Sequence, residues 1–251
     1  MNTLPGLFPD LLVGDPAAAE AIQALVCRME LWPQLLRRQQ EEQIAGLVPI
    51  ESSWLQERQQ DFLAGEPLED VLQRRRWTEQ DLHLHLLIPE ALRRFSEQRF
   101  GPGLEELFLA SQGGHDQIIY SLLRVRDTGV ARELWIRLEE GEASFAELAS
   151  SYGEGPEAAR KGVIGPIPIG NITPPELATL LRSLQPGEVH PPRQLGDWLV
   201  LVRLEQLTPA RFDGPMREFL LTQQLDAFLQ GRVEQLLRGE QPDELHYDPT
   251  S

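Results

Sequence analysis

The chain has 251 residues, with 23 Lys plus Arg against 39 Asp plus Glu, a single Cys, 20 Gly, 20 Pro and 41% hydrophobic residues. That composition excludes intrinsic disorder, a collagen-like repeat and a disulfide scaffold. The formal charge of −16 is spread along the chain, 10 basic against 19 acidic residues over 1–120 and 13 against 20 over 121–251, so nucleic acid is a poor partner for either half.

At this length two domains are expected. The opening stretch Met1–Asp10 has no basic residue, the first being Arg28, and Asp10 and Asp15 are acidic, the reverse of a secretory leader. Apolar runs such as Trp198 to Val202 fall far short of the roughly 20 residues that span a bilayer. The expectation is therefore a soluble, cytoplasmic protein without membrane insertion. Cys27, beside Val26 and Met29 in a helical pattern, has no disulfide partner in the chain and is expected to be a buried thiol.

Residues 16–113 read as helices. Asp15 can cap the first and Pro16 can begin it, with Ile22, Leu25, Val26 and Met29 on one face. Pro33 restarts the pattern, carried by Leu35, Leu36, Ile44 and Leu47, and a third segment through Trp54, Leu55, Arg58 and Phe62 ends at Gly65. Leu68, Val71 and Leu72 make a short amphipathic turn before Arg74-Arg75-Arg76, the one basic run, which reads as a solvated face. Thr78 to Asp81 resembles a capping box and opens a long helix that Pro89 should kink. Leu104, Leu107, Phe108 and Leu109 form one more helix before Gly113-Gly114.

Beyond those glycines the period changes. Ile118 to Leu123 reads as a strand buried on both faces; Val130, Leu134 and Leu138 follow at helical spacing, and Ser144 with Glu147 opens another helix. Val163 to Ile167 is a strand that is bulged or at an edge, Pro174-Pro175 starts a helix, and Trp198 to Leu204 alternates as a closing strand. The order β-α-α-β-α-β-β describes an α+β domain with a small mixed sheet and surrounding helices. Asp213-Gly214-Pro215 then opens a long amphipathic helix whose apolar stripe needs a partner, for which the N-terminal helices are the obvious choice. The expected division is 1–113 helical, 114–207 α+β, and 208–251 a C-terminal helix packing back on the first part.

The α+β stretch resembles the parvulin (PpiC-like) family of peptidyl-prolyl isomerases over about residues 115–206. The carrying pieces are Ala131 to Gly141, Phe145 to Ala149 with Tyr152, Gly162-Val-Ile-Gly165, Gly170 with Ile172, Leu184-Gln-Pro-Gly-Glu-Val189, and Gly196 to Leu204. The flanking helices resemble the layout of SurA- and PrsA-type foldases. The resemblance implies a polypeptide client, rotation about Xaa-Pro bonds without cofactor or covalent step, and a site built on two strand histidines with a Cys or Asp nearby. That chemistry favours a twisted amide in an apolar, preorganised pocket, against a barrier of ~18–20 kcal/mol.

Both histidine positions are replaced, by Leu122 and Trp198, and the Cys or Asp position falls at Glu154 or Gly155. Catalysis is therefore expected to be weak or lost, with a non-catalytic peptide-binding chaperone or adaptor as the alternative. Ser121 and Glu154 are the remaining catalytic candidates, with Tyr120 as another polar group in reach, while Leu122, Ile172, Leu177 and Trp198 are the candidates for binding substrate. No metal site is expected: His83 and His85 point apart on a helix, and His115, His190 and His246 read as isolated loop residues.

Overall fold

The computed structural model describes residues 16–249. The expected Asp15 cap and the Met1–Asp10 stretch lie outside them. The chain divides into two compact units, one made of 1–104 with 214–251 and the other of 105–213.

The first unit is helical: α1 (Pro16–Arg28), α2 (Trp32–Leu47), α3 (Ser52–Leu63), α4 (Leu68–Arg75), α5 (Glu79–Phe100) and α10 (Gly214–Leu237). Thr78 caps α5 as expected, accepting from the Asp81 N–H while the Asp81 carboxylate accepts from the Thr78 N–H, and α5 continues unbroken through Pro89. Its core joins α2, α5 and α10: Ile44, Ala45 and Val48 meet Ile88, Ala91 and Phe95, and these meet Leu225 and Leu229. Arg37 reaches Asp226 at 2.5 Å and the Nε of Arg232 donates to Gln40 at 2.6 Å, so polar bonds also tie α10 to α2.

One expectation fails in this unit, and it concerns α1. Ile22, Leu25 and Met29 share a face of α1 and are 53%, 46% and 58% exposed. Cys27 is correspondingly exposed rather than buried, and its sulfur accepts a hydrogen bond from the Trp32 indole at 3.0 Å. The basic run is divided in its duties. Arg74 pairs with Glu66 at 2.9 Å, Arg75 lies over the rings of Phe62 and Trp77, and Arg76 ends α4 in the left-handed conformation.

The second unit begins with α6 (Leu104–His115), which runs through Gly113-Gly114 instead of ending there. It stays with the α+β elements because Phe108 packs on Phe212, Gln112 donates to the Ala210 carbonyl and Arg182 donates to the Gly113 carbonyl. Then follow β1 (Gln117–Val125), α7 (Thr128–Glu139), α8 (Phe145–Tyr152), β2 (Val163–Pro168), α9 (Pro175–Arg182), β3 (Val189–Leu195) and β4 (Trp198–Thr208). The strand order is β2-β1-β4-β3. Every pairing is antiparallel, so the sheet is not mixed: β1 sits between β2 and β4, and β3 joins β4 as a hairpin. His115 closes α6 and His190 lies in β3, so neither is a loop residue.

Successive β1 side chains alternate between two cores. Ile118, Tyr120 and Leu122 face α9 with Ile172, Leu177, Val200 and Val202, whereas Leu123 and Val125 face α7 and α8 with Leu134, Phe145, Leu148 and Leu201. β2 is an edge strand with a register shift opposite Ile118 and Tyr120. Gly165 is required there: its φ is +116° and a Cβ would lie 2.4 Å from the Ile118 carbonyl oxygen.

Candidate functional site

The binding candidates Leu122, Ile172 and Leu177 are 4%, 5% and 3% exposed and form the core beneath α9. Trp198 is half-buried at the edge of that core. Leu122 and Trp198 are not cross-strand neighbours, since Leu122 pairs with Val202 while Trp198 pairs with Leu195 at the hairpin end. Histidines placed at both positions would not meet.

Ser121 points to the other face of the sheet. It is 1% exposed, and its hydroxyl donates to Glu205, which also accepts from Arg203 at 2.8 Å. The structure therefore separates this candidate from Leu122, Ile172, Leu177 and Trp198. Glu154 acts as a tether: its N–H donates to the Arg124 carbonyl at 3.0 Å, and its carboxylate accepts the Arg126 N–H at 3.0 Å. That carboxylate is half-exposed and closes the end of β1.

Beside Gly155, one of the two positions at which the resemblance places the family's Cys or Asp, lies an ion pair with no local sequence signal. Arg124 Nε and Nη2 each reach a Glu157 oxygen at 2.8 Å, and the Glu157 side chain is only 3% exposed. Gly155 backs onto this pair, and a Cβ there would lie 2.3 Å from Glu157 Oε1 and 2.5 Å from Arg124 Nε. The glycine and the ion pair thus fill one space between them. The Arg126 guanidinium sits 4.7 Å from the centre of the Trp198 ring and that of Arg124 sits 5.9 Å from it, so arginines already engage this tryptophan. Burial raises the Tyr120 hydroxyl above its usual pKa, with Glu157 adding to the effect and Arg124 opposing it. Glu157 is a lone acid in a five-residue helical turn, without periodicity or spacing to mark it.

On the other side of α9 a groove of about 600 Å³ lies between that helix and the β3–β4 hairpin. Pro174, Glu176, Thr179, Leu180 and Ser183 form one wall, and Arg193 to Gly196 form the other. Leu180 and Leu195 also pack on the buried cluster, which gives the groove an apolar floor. The hydroxyls of Thr179 and Ser183 are turned back to the Pro175 and Leu180 carbonyls. Arg193 is exposed and has no carboxylate partner among the described residues. Such a groove can hold an extended chain against an apolar floor; it contains no histidine, cysteine or free carboxylate pair for proton transfer. No group of three or more His, Cys, Asp or Glu among the described residues is placed to hold a metal.

Residues 129–206 match the family model described as "Rotamase: PPIC-type PPIASE domain". The matched stretch lies within the second unit, outside the helical one. Among solved structures, the chain is similar to peptidylprolyl isomerase (PrsA) from Bacillus anthracis, at 18% identity over 81% of this chain and 96% of that one, with a TM-score of 0.47. It is similar also to PrsA from Bacillus cereus, at 15% identity over 92% and 89%, TM-score 0.49. A third is a PpiC-type peptidyl-prolyl cis-trans isomerase domain, at 21% identity over 40% of this chain and 99% of that one, TM-score 0.35. No protein of curated function matches the sequence. No helix among the described residues is long and apolar enough to cross a membrane.

Proposed function

We propose that this chain is a parvulin-type foldase that binds extended, apolar or proline-containing polypeptide segments in the groove between α9 and the β3–β4 hairpin, with isomerase catalysis weak or lost. One observation carries the reading: within a PPIC-type domain the sheet face is filled by Leu122, the Arg124–Glu157 pair and Trp198, while an open groove with an apolar floor remains beside it. Binding without chemistry is what that division supports. An amide is rotated faster only where the twisted form is held better than the planar one, and that requires polar groups aimed at it. On the sheet face the polar groups Arg124 and Glu157 are committed to each other, and in the groove the Thr179 and Ser183 hydroxyls are turned to helix carbonyls, which leaves Arg193 and Glu176 at its rim.

Exchange NMR on a short Ala-Pro peptide, with and without the protein, tests this. The expected result is line broadening and shift changes at residues lining the groove, with little or no cis–trans exchange. Strong exchange peaks would overturn the loss of catalysis, and unchanged spectra would overturn the groove.

A further inference from the structure

Beyond α10 the chain turns at Gly239, whose φ is +78°, and residues 240–249 run back over the helical unit without regular structure of their own. Side chains of the helical unit hold this segment at several points. Leu245 and Tyr247 are half-buried against the cluster that contains Phe95 and Phe228, while Glu244, His246 and Asp248 are exposed, so the segment alternates as a strand does. The Gln98 side-chain amide bonds one residue from both sides: its oxygen accepts the Asp248 N–H at 3.0 Å and its nitrogen donates to the Asp248 carbonyl. Arg232 donates to the Asp243 carbonyl at 2.7 Å.

These contacts read main chain and two apolar side chains, which is the chemistry of a receptor for extended peptide. The seat is also cationic at points. Arg232 is only 8% exposed and is held by Gln40, with no carboxylate partner among the described residues; Arg99 likewise has none and lies 4.6 Å from the centre of the Phe228 ring. Both line a cavity of about 470 Å³ beside Leu245, together with the carboxylates Glu234, Asp243 and Glu244. Another cavity, of about 370 Å³, lies beside Tyr247 and is lined by Arg93, Arg94 and Glu97, but these two arginines are paired with Glu90 and Glu51, so the cations of the seat without a carboxylate partner among the described residues are Arg99 and Arg232.

We propose that the surface formed by α5 and α10 is a second peptide-binding site, which accepts extended acidic segments with apolar residues at i and i+2, and that residues 240–249 occupy it as a tethered competitor. A tethered ligand acts at an effective concentration near millimolar, so an external peptide binds only as far as the tail is released.

The test uses the full chain and a labelled synthetic peptide of residues 240–251, followed by anisotropy. Wild-type protein is expected to bind it at least about tenfold more weakly than the L245A/Y247A chain, whose own tail has lost both anchors. The same peptide carrying both alanines is expected not to bind either protein. D248P removes one main-chain donor at an exposed position and is expected to shift affinity in the same direction by a few-fold, so it decides the matter if the double variant does not fold. Equal affinity of wild-type and variant chains for the peptide, or no binding to any of them, overturns the proposal. Neither result bears on the groove beside α9, which lies in the other unit.

Discussion

Arg124 and Glu157 form a two-pronged ion pair, with both bonds at 2.8 Å and the carboxylate side chain 3% exposed. A buried pair of this kind holds its energy in being complete. Removing one partner leaves an uncompensated charge away from water, at about 3–5 kcal/mol. Glu157→Ala is therefore expected to lose stability of that order in urea unfolding, and replacing both residues by Met is expected to recover most of it. A loss below about 1 kcal/mol for the single variant would mean that the pair is solvated and structurally idle.

Gly155 gives a second test of the same packing. Gly155→Ala puts a methyl where the carboxylate sits and is expected to cost about 2 kcal/mol or more in the wild-type background. In a Glu157→Ala background the space is vacant, so the same change is expected to cost much less. Additive costs in the double-mutant cycle would show that the two residues do not share the space.

Trp198 is half-buried and faces two guanidinium groups, so Trp198→Ala is expected to cost about 2–3 kcal/mol, short of the loss for a core tryptophan. The pair Leu122→His with Trp198→His is expected to yield no isomerase activity. The two positions are separated along β4, and a lone imidazole at Leu122 lies in an apolar core at about 1–3 kcal/mol of destabilisation. A gain of cis–trans exchange in the double variant would refute this geometry.

The helical unit has an acid-sensitive contact at Glu90. Arg93 first, and Arg94 after it, hold its carboxyl down to about 2 from an ordinary 4.5, with burial opposing them. Because the folded value is the lower one, the contribution is complete above about pH 4.5 and is lost as the pH falls towards 2. Glu90→Gln is expected to reduce stability by roughly 1–3 kcal/mol at neutral pH and to match wild type near pH 2. Parallel stability curves between those limits would contradict the assignment.

Much of the architecture was legible because its signals are local. The capping boxes at Thr78 and Ser144, the spacing of Leu134 and Leu138, and the alternation from Trp198 to Leu204 each reside in one short segment. The site was less legible because its parts meet only in three dimensions. Arg124 and Glu157 stand thirty-three residues apart, on a strand and in a turn, and no period links them. Cys27 misled for the opposite reason: its segment has an apolar face, but burial depends on a partner element that a helical period cannot supply. The alternation of Leu245 and Tyr247 is too short to stand out from a polar tail, and Gln98, which holds it, lies on a distant helix.

The pairing of Gln117 with Thr208 fastens the two ends of the sheet-bearing unit to each other, and the Ala210 N–H donates to Asp116 at 2.8 Å just outside it. The order of synthesis gives this a kinetic meaning. By the time residue 213 has left the ribosome, every strand and helix of that unit is available, while Phe95 and Ile88 still await Leu225 and Leu229 from α10. The middle of the chain can thus complete its fold first, leaving the earliest helices to hold an unfinished apolar surface until the last segment arrives to cover it.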